Sequence, residues 1–205
     1  ALIGVLLCVM AWLLPSGESL LSAALLLVAW VALTRALHLD GLADSADAWI
    51  GGMAGSWHER RARTLDIMKD PRSGPMGVAA IVLVLLVKFA ALASLASGAW
   101  AWCVSALMLA PMLARMAVTA AFLTTPYVRS GGLGSGLADA PRVACLGALL
   151  LGSIACGFAG WRGAIAFACA VVVFASWWRA CMRRLGGITG DAGGALVGLN
   201  RGAAL

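Results

Sequence analysis

The sequence predicts an all-α, polytopic membrane protein, and three observations carry that prediction. Of its 205 residues 62% are hydrophobic, with a mean hydropathy of +0.96, whereas soluble domains are only about half apolar. The apolar residues stand in long runs, as membrane-spanning helices require. Lys and Arg flank those runs, the arrangement that orients a chain across a bilayer.

Six apolar segments can be marked, at about residues 1–14, 20–38, 76–97, 99–123, 143–160 and 163–182. Each of the last five approaches the ~20 residues that cross ~30 Å of hydrocarbon. The chain begins inside an apolar stretch without an initiator Met, so it is expected to be a piece of a longer product. Gly, Pro and Ser punctuate the joints in "PSGES", "SGA", "TTPYVRSGGLG" and "GWRG". The expectation is one integral-membrane domain over 1–205, with about six transmembrane helices and an acidic active-site segment at about 38–75.

Topology follows from the basic residues. Arg35, Arg60, Arg61, Arg63, Lys69 and Arg72 lie in 35–75, Arg129 and Arg142 in 124–142, and Arg179, Arg183 and Arg184 close the last segment. The intervening joints are almost free of charge. Six crossings with basic loops inside put 35–75, 124–142 and 186–205 on the cytoplasmic face of the cell (inner) membrane. The net charge of +6 is therefore read as orientation in a lipid bilayer and not as a nucleic-acid surface. The six cysteines all lie in apolar segments without metal-ligand spacing, and read as small buried hydrophobes. A homo-oligomer is compatible with this sequence.

The acids are concentrated. Six of nine, Asp40, Asp44, Asp47, Glu59, Asp66 and Asp70, fall between 40 and 70. In "LHLDGLADSADAW" (37–49), the three aspartates fall at about 0°, 40° and −20° around a helix, a single stripe. Like charges so placed repel one another. A bound hard cation relieves that cost, and Mg²⁺ characteristically takes one or two carboxylates plus substrate phosphate. The competing reading is a solvated helix end. His38 points to the other side of that helix and reads as a packing residue.

In "RTLDIMKDPRSGPMG" (63–77), Asp66 and Asp70 again share a face, with Lys69 and Arg72 beside them and Pro71 and Pro75 ending the helix. Carboxylates interleaved with cations suit a metal–phosphate site, or else an interfacial helix with ordinary ion pairs. Lys88 and Arg115 lie inside apolar segments, where a cation is costly and points to function, although Lys88 can also snorkel to an interface. The glycines of "LGGITGDAGGAL" (185–196) around Asp191, and of "SGGLGSG" (130–136), allow close approach of a ligand or tight helix packing equally well.

Taken together, "HLDGLADSADAW", "LDIMKDPRSGPMG", "KFAAL", "YVRSGGLG" and "GGITGDAGGA" resemble the cobalamin synthase family of adenosylcobinamide-GDP ribazoletransferases, in the family's order over nearly all of the chain. The resemblance implies a Mg²⁺-dependent transfer at the cytoplasmic membrane, late in vitamin B12 assembly. A ribose hydroxyl of α-ribazole, or of its 5′-phosphate form, attacks adenosylcobinamide-GDP, GMP leaves, and adenosylcobalamin or its phosphate forms. The family's acidic first motif falls on Asp40, Gly41, Asp44 and Asp47, its second on Asp66, Lys69, Asp70, Arg72 and Gly77, and further matches on Lys88, Arg115, Arg129, Gly134 and Asp191. The implied catalytic and metal-binding residues are Asp40, Asp44, Asp47, Asp66 and Asp70. The implied substrate-binding residues are Lys69, Arg72, Lys88, Arg115, Arg129 and Asp191. The chain departs from the family at Gly198 and Arg201, where glutamates are usual, and lacks a further N-terminal segment. Two rival readings are a CDP-alcohol phosphotransferase-like membrane enzyme, whose aspartate spacing differs, and a membrane transporter, which would need acids at mid-depth in the apolar segments.

Overall fold

The computed structural model describes residues 2–14, 19–70, 72–98, 100–128 and 141–205. Among them are nine helices, no named strand and one isolated bridge. All six apolar segments are helical: α1 (Leu2–Leu13), α2 (Ser19–Leu33), α5 (Pro75–Ala96), α6 (Trp100–Thr124), α7 (Arg142–Phe158) and α8 (Gly160–Leu185). The other three are α3 (Leu37–Gly51), α4 (Trp57–Ile67) and α9 (Gly190–Ala203).

The helix ends follow from local chemistry. Pro75 opens α5 at the position where its missing N–H costs nothing. Ser56 and Glu59 form a capping box at α4, and Thr189 caps α9 by accepting from the Ala192 N–H at 3.1 Å. Gly186, with φ of 69°, takes the left-handed conformation that stops α8. Pro111 sits inside α6, which runs on through it.

Among the described residues, α5, α6 and α8 are the helices both long and apolar enough to cross a bilayer by themselves. The 20–38 segment does not continue straight. Its helix stops at Leu33, Arg35 and Ala36 take positive φ of 50° and 54°, and the chain turns by 85° into α3. Counted together, α2 and α3 make a fourth, broken span. The α1 and α7 helices, at 12 and 17 residues, fall short of the ~20 that a perpendicular crossing takes.

The main core joins Leu7 of α1, Leu26 and Trp30 of α2, Leu92 of α5, and Leu107 and Leu113 of α6. A second cluster, at the other end of α6, joins Ala117 and Ala121 to Cys181, Ile188, Ala192 and Leu196. Between lipid-facing helices apolar burial drives little, so close backbone approach through small residues matters more. The α3–α9 crossing is built that way. A Cβ on Gly41 would lie 2.5 Å from the Asp191 carbonyl oxygen, and Gly194 stands against Leu37, His38 and Gly41. The six cysteines are free; three are buried, and Cys169 is exposed.

Candidate active site at the acidic helix

The acidic segment is not a peripheral loop. His38, Leu39, Gly41, Leu42, Ala43, Ser45 and Ala48 of α3 are buried, because small residues let α5 and α9 close on it. The aspartate stripe remains on the outer edge of that packing, with Asp40 exposed and Asp44 and Asp47 half-buried.

Three separate stretches of chain are fastened to this helix. Asp47 accepts from the Gly74 N–H through Oδ2 at 2.6 Å and from the Gly77 N–H through Oδ1 at 2.9 Å. It thus supplies the cap that the Gly74 side of α5 lacks, and its charge suits the positive end of that helix. A Cβ on Gly77 would collide with the Asp47 carboxylate and Ala43, so glycine is needed there. Gly41 lets the first turn of α9, at the Asp191 backbone, close on α3 next to Asp40 in the chain. Thr189, just before it, donates to the Met68 sulfur at 3.8 Å, which ties the second motif to the same end.

Arg184 of α8 locks the far end of α3. Its Nε donates to Thr64 Oγ1 at 3.0 Å and its terminal nitrogen to the Trp49 carbonyl at 2.9 Å. Arg61 donates to the Leu185 carbonyl at 2.7 Å, and Trp57 to that of Arg183 at 2.9 Å. Tyr127 bridges Ile188, with the Val128 N–H donating to the Ile188 carbonyl at 3.0 Å, so the "YVRSGGLG" motif starts at the entrance to α9. Arg129 and Gly134, expected in the site, lie outside the described residues.

The second motif is exposed and self-paired. Lys69 Nζ stands 3.5 Å from Asp66, with side chains 59% and 75% exposed. Asp70 accepts three bonds from Arg72, through the backbone N–H at 3.1 Å, Nε at 3.0 Å and a terminal nitrogen at 2.8 Å. Those bonds hold the Asp70 carboxyl down to about 2. Arg115 is exposed on α6.

Lys88 does not snorkel. It is buried on the other side of α3 from the stripe, with Nζ 3.5 Å from His38 Nε2 and 5.9 Å from the Trp30 ring centre. Arg201 reaches the same ring, 5.7 Å from its centre. Helical spacing gives His38 as a packing residue, Arg201 stands out in the sequence only as a departure from the family, and nothing local marks Trp30. The available signal was an arginine among the small and apolar residues of 192–204.

The donor chemistry suits a hard cation. Among the described residues no three of His, Cys, Asp and Glu are gathered as a preformed cage. A Mg²⁺ at this edge would take one or two carboxylates and complete its shell with phosphate and water oxygens, its ordinary habit beside a nucleotide. Asp40, exposed, and Asp44, half-buried, are carboxylates on this edge that could contribute. Both oxygens of Asp47 are already engaged by backbone N–H groups.

Compared with known proteins, the chain matches the family described as Cobalamin-5-phosphate synthase over residues 1–205. A protein of Stutzerimonas stutzeri (strain A1501) named adenosylcobinamide-GDP ribazoletransferase is 52% identical over 198 residues, which are 96% of this chain and 78% of that protein. Proteins of the same name are 54% identical in Pseudomonas syringae pv. syringae (strain B728a), over 97% of this chain and 79% of the relative. In Pseudomonas aeruginosa (strain UCBPP-PA14) the figures are 50%, 100% and 80%. No solved structure matches the chain.

Proposed function

The chain belongs to the cobalamin-5-phosphate synthase family, and on that premise we propose that it joins adenosylcobinamide-GDP to α-ribazole, or to α-ribazole 5′-phosphate, with release of GMP. One observation supports this above the rest: α3 carries the acidic stripe and is clasped by the start of α5 through Asp47 and by the start of α9 through Gly41. The first acidic motif, the Gly74–Gly77 end of the second and the start of the glycine-rich last motif therefore meet on α3. The family match leaves the CDP-alcohol phosphotransferase and transporter readings without support.

In the reaction, a ribose hydroxyl oxygen of the ribazole, one that stays free in the 5′-phosphate and therefore not the 5′-oxygen, bonds to the phosphorus next to the cobinamide. The bond from that phosphorus to the bridging oxygen breaks. GMP departs with that oxygen, and the hydroxyl proton passes to solvent or a carboxylate. Asp40 and Asp44 would hold Mg²⁺ against the pyrophosphate. A bound Mg²⁺ neutralises phosphoryl oxygens and the developing charge on the leaving group. Asp191 stands at the positive end of α9, where N–H groups favour an anion. Asp47 holds the α5 end, and so the Asp66–Arg72 segment, against α3. The test is GMP release by purified protein given adenosylcobinamide-GDP and α-ribazole. No release above the enzyme-free rate refutes the assignment.

Lys69 and Arg72 are read as substrate-phosphate ligands that exchange their carboxylate partners for phosphate. Surface ion pairs of this exposure typically contribute only ~0.2–1 kcal/mol, so the exchange is easy. Lys69→Ala is expected to lower kcat/KM by ~10²-fold, as loss of one preorganised donor does. A fall of less than about threefold, with the protein still folded, assigns Lys69 to structure alone.

The site is read as facing the cytoplasm from the inner membrane. Arg60, Arg61, Arg63, Arg183 and Arg184 lie at one end of the molecule, where α4 docks on the end of α8, and basic ends stay inside. With the six native cysteines replaced, Ser56→Cys should resist an impermeant thiol reagent added to intact cells and react after lysis. Labelling of intact cells reverses the orientation.

A further inference from the structure

We propose that Lys88, Arg201, His38 and Trp30 form an enclosed binding site for a small halide-class anion at the break between α2 and α3. The inference is independent of the transferase reading, since it involves no substrate.

The residues are almost entirely withdrawn from the surface: Trp30, Lys88 and Arg201 are each 2% exposed and His38 is 4% exposed. Both cations lie against the face of Trp30, at 5.9 and 5.7 Å from its ring centre. Neither has a carboxylate within ion-pair distance among the described residues, where the two ion pairs both fall between Asp66 and Arg72. Among the described residues, the charged neighbours of Lys88, His38 and Arg201 are one another and Arg115, all basic. Buried like charges without a counter-charge are among the costliest arrangements a protein can hold.

His38 cannot settle the account for both cations. Lys88 Nζ stands 3.5 Å from its Nε2, and a terminal nitrogen of Arg201 3.4 Å from its Nδ1. A neutral imidazole has one acceptor nitrogen, and both neighbours are donors only. The Thr34 hydroxyl, 2.9 Å from the Trp30 carbonyl, stands 3.2 Å from Nδ1. With the ring proton on Nδ1, Nε2 accepts from Lys88 and Arg201 meets an N–H; with the proton on Nε2, Lys88 meets it instead. Arg201 Nε and Trp30 Nε1 are also buried without a partner. Arg201 is thus a buried guanidinium whose Nε has no acceptor among the described residues.

An anion supplies both missing quantities, negative charge and acceptor capacity. The burial sets its size, because an esterified phosphate would need a path for its organic group, whereas a halide can be wholly enclosed. The location fits as well. The chain breaks here, with Arg35 and Ala36 at positive φ and an 85° turn, and broken membrane helices are tolerated where they line a ligand site.

The test is thermal unfolding of the detergent-purified protein in chloride or gluconate at equal ionic strength, gluconate being too large to enclose. Tm should rise saturably with chloride, by about 5 °C or more near saturation, and bromide should substitute. Arg201→Gln should remove the response. Arg201→Glu guards against misfolding of that variant: its carboxylate pairs with Lys88, so it should melt high without chloride and ignore added chloride. Equal wild-type melting in the two salts overturns the proposal, as does an undiminished chloride response in Arg201→Glu. A rise with inorganic phosphate but not with chloride overturns the halide assignment.

Discussion

Asp44→Asn is expected to lower kcat/KM for GMP release by ~10³-fold or more while the protein still inserts and melts cooperatively. The substitution keeps the size of the side chain and removes the charge that would hold Mg²⁺ on the α3 edge. Loss of several kcal/mol of transition-state stabilisation, at about 1.4 kcal/mol per tenfold, corresponds to that range. Asp40→Asn should behave similarly. Asp47→Asn should differ in kind. Its carboxylate accepts from Gly74 and Gly77 through both oxygens, and an amide offers only one acceptor. Its primary loss is the cap of α5, on the order of 0.5–2 kcal/mol, read as a lower Tm. Activity within threefold of wild type in both Asp40→Asn and Asp44→Asn overturns their assignment. An unchanged Tm in Asp47→Asn overturns the cap.

Gly41→Ala, a single added methyl, is expected to cost ~10²-fold in activity. That methyl would sit 2.5 Å from the Asp191 carbonyl oxygen and 3.2 Å from its Cα. Those are backbone atoms of the first turn of α9, which cannot rotate away. The helices must separate, and Asp191 moves away from the helix that carries Asp40 and Asp44. Misplacement of about 1 Å at a reacting centre can cost 10²-fold, while overpacking typically costs 1–3 kcal/mol of stability. Gly193→Ala is the control. Nothing lies within 4 Å of its added Cβ, so it should retain near-normal turnover and Tm. Equal behaviour of the two variants refutes the close-approach role of Gly41.

The order of apolar segments, the acidic window at 40–70 and the family could all be read from residue order, because each depends on local runs and spacing. The glycines of 185–196 left two roles open. In α9, Gly190, Gly194 and Gly198 are helical, and Gly194 and Gly198 lie against α3, so at these positions the packing role is realised. Spacing also put Asp40, Asp44 and Asp47 on one stripe. It could not distinguish them, since the partner of Asp47 comes from the Gly74–Gly77 backbone about thirty residues along.

Sequence alone determined that this chain is a helical membrane protein of its family, with carboxylates concentrated between residues 40 and 70. Apolarity, periodicity and charge placement are properties of neighbouring residues, and they act before any distant contact forms. Only the tertiary structure decided that α2 breaks at Thr34–Ala36, that α5 and α9 close on α3, and that Lys88 and Arg201 meet across Trp30 and His38. Those outcomes depend on which backbones can approach closely and which buried donors find acceptors, and both are set by residues far apart in the chain.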